Sequence, residues 1–482
     1  MEVTHTLENL RVKKSVSENI GFLLTNKKGS YCSFFNEPSS KYQGLFLFDK
    51  DSMNMYKFIE NIEIFNNRNV DALKNFFYFV ERKKNEAIES FFMPQGFSSL
   101  AYELSIEKEI DLILDCKDSY DNREWGRYYN ISHEKNCVVV KFTKKTDERE
   151  DSSNGVDEFT LYLVIKSDLN TYKKNDEWIE RYYPSDDERK SPPVRRFVYN
   201  ALRLRGTKLI FSMSKYKNTA INECRYVFNK LDNLKNQEKL VFLDFLKNDS
   251  ADKIVKNKQI SKEIKIAYIN ALNSLNNLIV SGENSSGILA GLPWFFQYWT
   301  RDALISLKAI SKINGKFAKK SFFNYLNNIN TYGRLSNLYK TTRPSDLASA
   351  DAHGWLFYRF NDFIKTNKSP IVKNALEKSL DSLLKYHTKD NFEFNESKET
   401  WMDTEFDGDN RAGARVEIQA LRLNMYNLMF RLTENRKYKI FENILINSLR
   451  EKFWNGIILA DGLDDFTIRP NIFISAYIHR SP

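Results

Sequence analysis

The sequence predicts an antiparallel β-sandwich followed by an all-helical domain, and three observations carry that fold class. Short apolar runs rich in β-branched and aromatic residues, each bounded by turn residues, recur through the first half. After about Asn236 the apolar spacing changes to three and four residues. Glycine and proline are scarce, 17 and 10 in 482 residues, as suits a chain built of regular elements. That length exceeds one ordinary core, so at least two domains are expected, each able to bury its own interior.

Taken in order, Gly21 to Thr25, Gly44 to Phe48, Cys137 to Phe142 and Phe159 to Ile165 read as strands, and Leu209 to Ser214 ends in strand-like alternation. Many short strands with turns between them favour a sandwich over a parallel sheet. The polar stretch Lys144 to Asp157 predicts an exposed loop. Asn175 to Arg196, which holds Pro184, Pro192 and Pro193, predicts an extended excursion. A charged helical connector, Gln237 to Lys258, then joins the halves. Beyond it Tyr268, Leu272, Leu275 and Ile279 share a helix face, as do Leu376, Leu380 and Leu383. The clearest stripe is Ile418, Leu421, Met425, Leu428 and Leu432. The expected division is 1–235 for the sandwich, 236–258 for the linker and 259–482 for the helical domain.

Composition excludes several classes. The net charge of +10 is diffuse, 73 Lys and Arg among 63 Asp and Glu without a long basic block, so nucleic acid is not the expected partner. No apolar run approaches the roughly 20 residues of a membrane span. The stretch from Met1 to His5 does not open a secretory signal. Cys32, Cys116, Cys137 and Cys224 form neither a C-x-x-C pair nor a Cys/His cluster, which argues against a disulfide framework and a zinc site. The acidic run from Asp403 to Asp409 does not fit EF-hand spacing. The chain reads as cytoplasmic, with no metal and no cofactor expected.

Chemistry concentrates in two places. Ala290 to Asp302 crowds Phe295, Phe296, Tyr298 and Trp299 beside Trp294 and then delivers Arg301-Asp302 at a helix start. About a hundred residues later, Thr400-Trp401-Met402-Asp403 again joins an aromatic to a carboxylate. Sugar rings present apolar C–H faces, which aromatic rings meet by stacking, and hydroxyls, which guanidinium and carboxylate meet by charge-assisted hydrogen bonds. Two such loops on a helical scaffold read as a carbohydrate active site. Other readings stay open: Thr300 as N-cap of a salt-bridged helix start, Asp403 as a cap, and core packing for any of the tryptophans.

These blocks resemble the glycogen debranching enzymes of archaeal and bacterial type, the amylo-α-1,6-glucosidase family. Leu23 to Tyr31 and Lys41-Tyr42-Gln43-Gly44-Leu45 are similar to the family's opening pattern, which has Arg and His where Lys41 and Gln43 stand. Trp178 and Arg181-Tyr182-Tyr183-Pro184 resemble a further segment. Ala290 to Asp302 resembles the family's Ala-Gly-aromatic-Pro-Trp-Phe signature with its Trp-x-Arg-Asp. Ser349-Ala350-Asp351-Ala352 with Trp355, Thr400 to Asp403 with Val416-Glu417-Ile418, and Ile468-Arg469-Pro470-Asn471 with Ile472-Phe473 follow in family order. In the last block the family's Gln is missing.

The resemblance implies a β-sandwich followed by an (α/α)6 toroid with the site at one mouth. It implies inverting hydrolysis of an α-glucan such as glycogen, limit dextrin or maltooligosaccharide, releasing glucose from α-1,6 branch points. An acid protonates the leaving oxygen while a base, about 6.5–9.5 Å away, activates water. By motif position Asp403 is that acid, and Arg301 and Asp302 grip the terminal glucose. Trp294, Trp299 and Trp401 are candidate platforms; Asp351, Arg415 and Glu417 complete the binding set, with Glu417 either facing the mouth or capping its helix. In the family more helices follow the Arg-Pro-Asn block, including the loop with the base. An incomplete toroid is therefore expected here, with a second polypeptide supplying the base. A glucoamylase acting on α-1,4 linkages and a non-catalytic α-glucan-binding protein or pseudoenzyme are the alternatives.

Overall fold

The computed structural model describes all residues except 68, 147–156, 248, 283–285, 340–347, 365–368, 406–407 and 480–482. Most of the expected loop at Lys144 to Asp157 and the middle of the acidic run thus lie outside the described residues. The chain forms two compact units, Met1–Phe296 and Gln297–Pro482.

The first unit is a sandwich wound from one continuous fifteen-stranded sheet. Its spine is a pair of long strands, Ser99–Asp118 and Arg195–Ser214, antiparallel from Ser99 opposite Ser212 to Leu114 opposite Tyr199. Alternation along them sends Leu100, Tyr102, Leu112 and Leu114 inward with Leu202, Leu204, Leu209 and Phe211, all buried in one core between the layers. Pairing is antiparallel throughout apart from Glu2–Leu7, which runs parallel to Ala72–Asn75. The stretch read as an extended excursion is instead an edge strand, Thr171–Tyr182, paired antiparallel with the start of Arg195–Ser214. Between them lies one helical turn, α1 (Pro184–Glu188).

Helix α2 (Lys217–Leu246) starts well before the change of period visible in the sequence. Ala220, Ile221, Cys224, Val227, Leu231 and Leu234 fall three and four apart on one face, and they seal the sheet's outer side against Ala101, Val139, Val164 and Ile210. Helices α3 (Asp249–Lys256) and α4 (Lys262–Asn277) follow; Ile279, expected on the stripe of α4, falls in a short strand pair. All four cysteines are buried free thiols. Among the described residues no helix is long and apolar enough to cross a membrane.

The second unit holds α5 (Thr300–Ile313), α6 (Gly315–Leu326), α7 (Ala352–Phe363), α8 (Pro370–Tyr386), α9 (Val416–Thr433), α10 (Arg436–Lys452) and α11 (Asn471–Ile478). Alternate helices α5, α7, α9 and α11 pack on one another in succession, while α6, α8 and α10 pack behind them. This is the inner and outer layering of an α/α toroid. Helix α9 is buried on almost every side, wider than its sequence stripe, because inner helices meet neighbours all round. Gly354 in α7 makes that packing possible: a Cβ there would lie 2.7 Å from Leu421 Cβ.

Candidate active site

The inner helices deliver their N-terminal ends to the residues singled out in the sequence. Trp299 is the N-cap residue of α5 and Asp302 lies in its first turn; Asp351 is the N-cap residue of α7. Arg415 is the N-cap residue of α9 with Glu417 in its first turn, and Asn471 opens α11. Unsatisfied N–H groups and the positive end of each helix dipole favour carboxylates at such positions.

Arg301 does not pair with its neighbour Asp302. Its Nε donates to Asp351 Oδ2 at 2.6 Å, and both side chains are almost fully buried. Ser349 Oγ donates to the other Asp351 oxygen at 2.5 Å. Thr300, weighed as N-cap, is instead the first helical residue. Arg301 Nη2 reaches the Glu399 carbonyl at 3.5 Å, and Ala350 N donates to that same carbonyl at 2.9 Å. Arg334 Nη1 holds the Glu399 carboxylate at 2.7 Å. The segments around 300, 350 and 400 are thereby tied together.

Asp403 closes this group. Its half-buried carboxylate lies within electrostatic reach of both Arg301 and Asp302. Burial raises the Asp302 carboxyl above the usual carboxylate range; Arg301 opposes the shift, and the charges of Asp351 and Asp403 reinforce it. Carboxylates crowded around one guanidinium can hold hydroxyls and a proton at once.

A second network, which sequence reasoning missed, lies beside the first. Asp461, fully buried, is shared by Arg411 (3.2 Å), Arg415 (3.4 Å) and Arg469 (2.8 Å). Arg411 also binds both oxygens of Glu417, at 2.8 and 3.1 Å, and Thr400 Oγ1 at 2.9 Å. Burial raises the Glu417 carboxyl, with Arg411 pulling the other way. Arg415 and Arg469 both reach Asp465, and Arg469 also pairs with Asp409. Asn471 Nδ2 donates to Asp461 at 2.5 Å, while its oxygen accepts from the Trp401 indole at 2.8 Å. Trp401 is thus held by its edge with 38% of its surface open. The available signal was the pair Asp461 and Asp465 shortly before Arg469, which no local pattern links to Arg411.

The structure therefore brings together Arg301, Asp302, Asp351 and Asp403, and separately Trp401, Arg415 and Glu417. Trp299 is half-buried at the head of α5. Trp294 belongs to the first unit, where the Arg189 guanidinium lies 4.4 Å from its ring centre. Among the described residues no His, Cys, Asp and Glu cluster is placed to hold a metal ion.

Residues 250–482 match the model of the amylo-alpha-1,6-glucosidase family. Among solved structures, a bacterial glucoamylase complexed with acarbose is similar at TM-score 0.54 and 10% identity, over 97% of this chain and 75% of that one. At that identity the likeness concerns the fold: a β-sandwich followed by a helical toroid. No curated protein matches the sequence. Residues 250–482 thus carry a glycoside hydrolase domain of the amylo-alpha-1,6-glucosidase family, and the chain has a glucoamylase-like fold.

Proposed function

We propose that the protein releases glucose from the α-1,6 branch points of an α-glucan by an inverting acid/base mechanism. The observation that carries the reading is the grouping of Arg301, Asp302 and Asp351 with Asp403 at the N-terminal ends of the inner helices. Asp403 acts as general acid on the glycosidic oxygen. Arg301, fixed by Asp351, and Asp302 hold the hydroxyls of the terminal glucose. Trp299 and Trp401 offer ring faces to the sugar. Arg411 fixes Glu417, and through Thr400 it steadies the strand of loop that bears Asp403. Four buried free thiols suit a cytoplasmic setting.

Inversion also needs a base opposite the acid. Among the described acids of the site, Asp302 is assigned to the glucose hydroxyls, Asp351 is committed to Arg301, and Glu417 and Asp461 to Arg411. We assign the base to a second polypeptide that packs on the apolar groove of α9, α10 and α11. That groove, about 1010 Å³, is walled by Val416, Ala420, Leu423, Leu449 and Ile472.

The test is glucose release from limit dextrin, with the product anomer followed by NMR. The β-anomer, formed from isomaltosyl rather than maltosyl ends and only with a helical partner present, is the expected result. Full turnover by the lone monomer would remove the second polypeptide. A preference for maltose would make the protein an α-1,4 glucoamylase, and glucan binding without release under any condition would leave a non-catalytic binder.

A further inference from the structure

A polar cleft of about 570 Å³ opens in the sandwich and takes no part in the machinery described above. Its size falls within the roughly 300–1,000 Å³ typical of small-molecule sites. Strand Asn54–Ile64 lays Asn61 and Glu63 along it, and strand Val80–Lys84 supplies Arg82 from below. Arg181, near the end of the edge strand, stands beside Glu63, and Asn19 and Asn36 close the other side.

The chemistry of the lining selects among ligands. Arg82 is bound by both oxygens of buried Glu89, at 2.5 and 3.0 Å, and Arg181 is paired with Glu63. The carboxylates of Glu18 and Glu37 stand at the cleft as well. With Arg82, Lys84, Arg181 and the Met1 ammonium set against Glu18, Glu37, Glu63 and buried Glu89, the charges around the cleft balance and select no ion. With few apolar groups, the cleft disfavours a lipid or an aromatic ligand. What remains is a mixture of donors and acceptors. Asn61 Nδ2 donates to Glu63 at 3.0 Å. Hydroxyl groups, each a donor and an acceptor at once, match such a lining.

We propose that this cleft is a second, non-catalytic saccharide site that holds a short α-glucan chain end on the sandwich. The identity of the sugar rests on the function proposed above; the site itself rests on the cleft. A second grip on a branched polymer raises its effective concentration at the catalytic unit without changing the chemical step.

Calorimetric titration of maltohexaose into the Asp403→Asn protein should show two classes of site. Ser17→Trp, which adds bulk at an exposed position of the rim, and Asn61→Ala should each remove one class. In the otherwise unaltered protein, assayed with its helical partner, both should raise KM for glycogen by about tenfold while kcat for glycogen and turnover of panose stay unchanged. Two classes persisting in both variants, with KM for glycogen unmoved, would overturn the proposal, as would a single class that neither variant disturbs. If the protein together with its helical partner releases no glucose from any glucan yet maltohexaose binding remains sensitive to Ser17→Trp, the hydrolase reading fails and the cleft stands. If glucose release is intact and binding ignores Ser17→Trp, the cleft fails alone.

Discussion

Asp351 has both oxygens engaged, one by Arg301 and one by Ser349, in a buried setting. Asp351→Asn therefore leaves a buried guanidinium without its counter-charge, and the expected cost is about 3–5 kcal/mol, read from the midpoint of urea unfolding. Asp403 is different: it is only half-buried, so Asp403→Asn should leave the melting curve close to wild type. The same exchange should reduce glucose release by roughly 100- to 10,000-fold, the usual worth of a general acid. His387 gives a pH prediction. Burial, assisted by Arg334, pushes its pKa down to about 4, so the fold holds it neutral. The unfolded chain then takes up the proton first, and stability present above about pH 6.5 is lost as pH falls toward 4. Melting temperature should decline across that window, and His387→Gln should flatten the decline; equal slopes for the two proteins would refute the assignment. At this scale the sequence was legible where the chemistry was local. Trp299, Arg301 and Asp403 each sit in a short pattern of aromatic and charged residues. The partner of Arg301 lies fifty residues on, and Asp461 draws Arg411 and Arg415 from a loop 50 and 46 residues upstream, so neither pairing leaves a trace in any short window.

Among the elements, α9 and its contact with α7 decide how closely the inner helices approach. Gly354→Ala would ordinarily favour a helix by about 0.5–1 kcal/mol. Here the added methyl meets Leu421, 2.7 Å away at its Cβ, and the crowding should cost about 1–3 kcal/mol and win. Thermal unfolding of the variant checks the sign. The stripe from Ile418 to Leu432 was legible because an inner helix must be apolar at spacings of three and four. The strand Thr171–Tyr182 was not: most of its residues are exposed, so nothing in its polarity distinguishes an edge strand from a loop. Helix α2 was missed at its start for a related reason. Its first turns are interspersed with Asn, Glu, Arg and Lys on the solvent side, and only the sheet beneath reveals the buried face.

For the whole molecule, the division into two compact units predicts that Met1–Phe296 expressed alone unfolds in one cooperative step with near-native strand content. Circular dichroism melts of that fragment settle the matter, and a broad, non-cooperative transition would contradict it. The order of strands before helices was legible because alternation and helical spacing are whole-domain signals, repeated many times over. Winding the strands into one continuous sheet was not, since pairings such as Glu2–Leu7 with Ala72–Asn75 join segments far apart in the chain. The crossed pairs around Asp461 bear on how such a protein diversifies. Arg411, Arg415 and Arg469 all lean on one aspartate. A lineage that exchanges any of them inherits a mismatch that only a compensating change can relieve, so these positions should drift together across homologues or hardly drift at all.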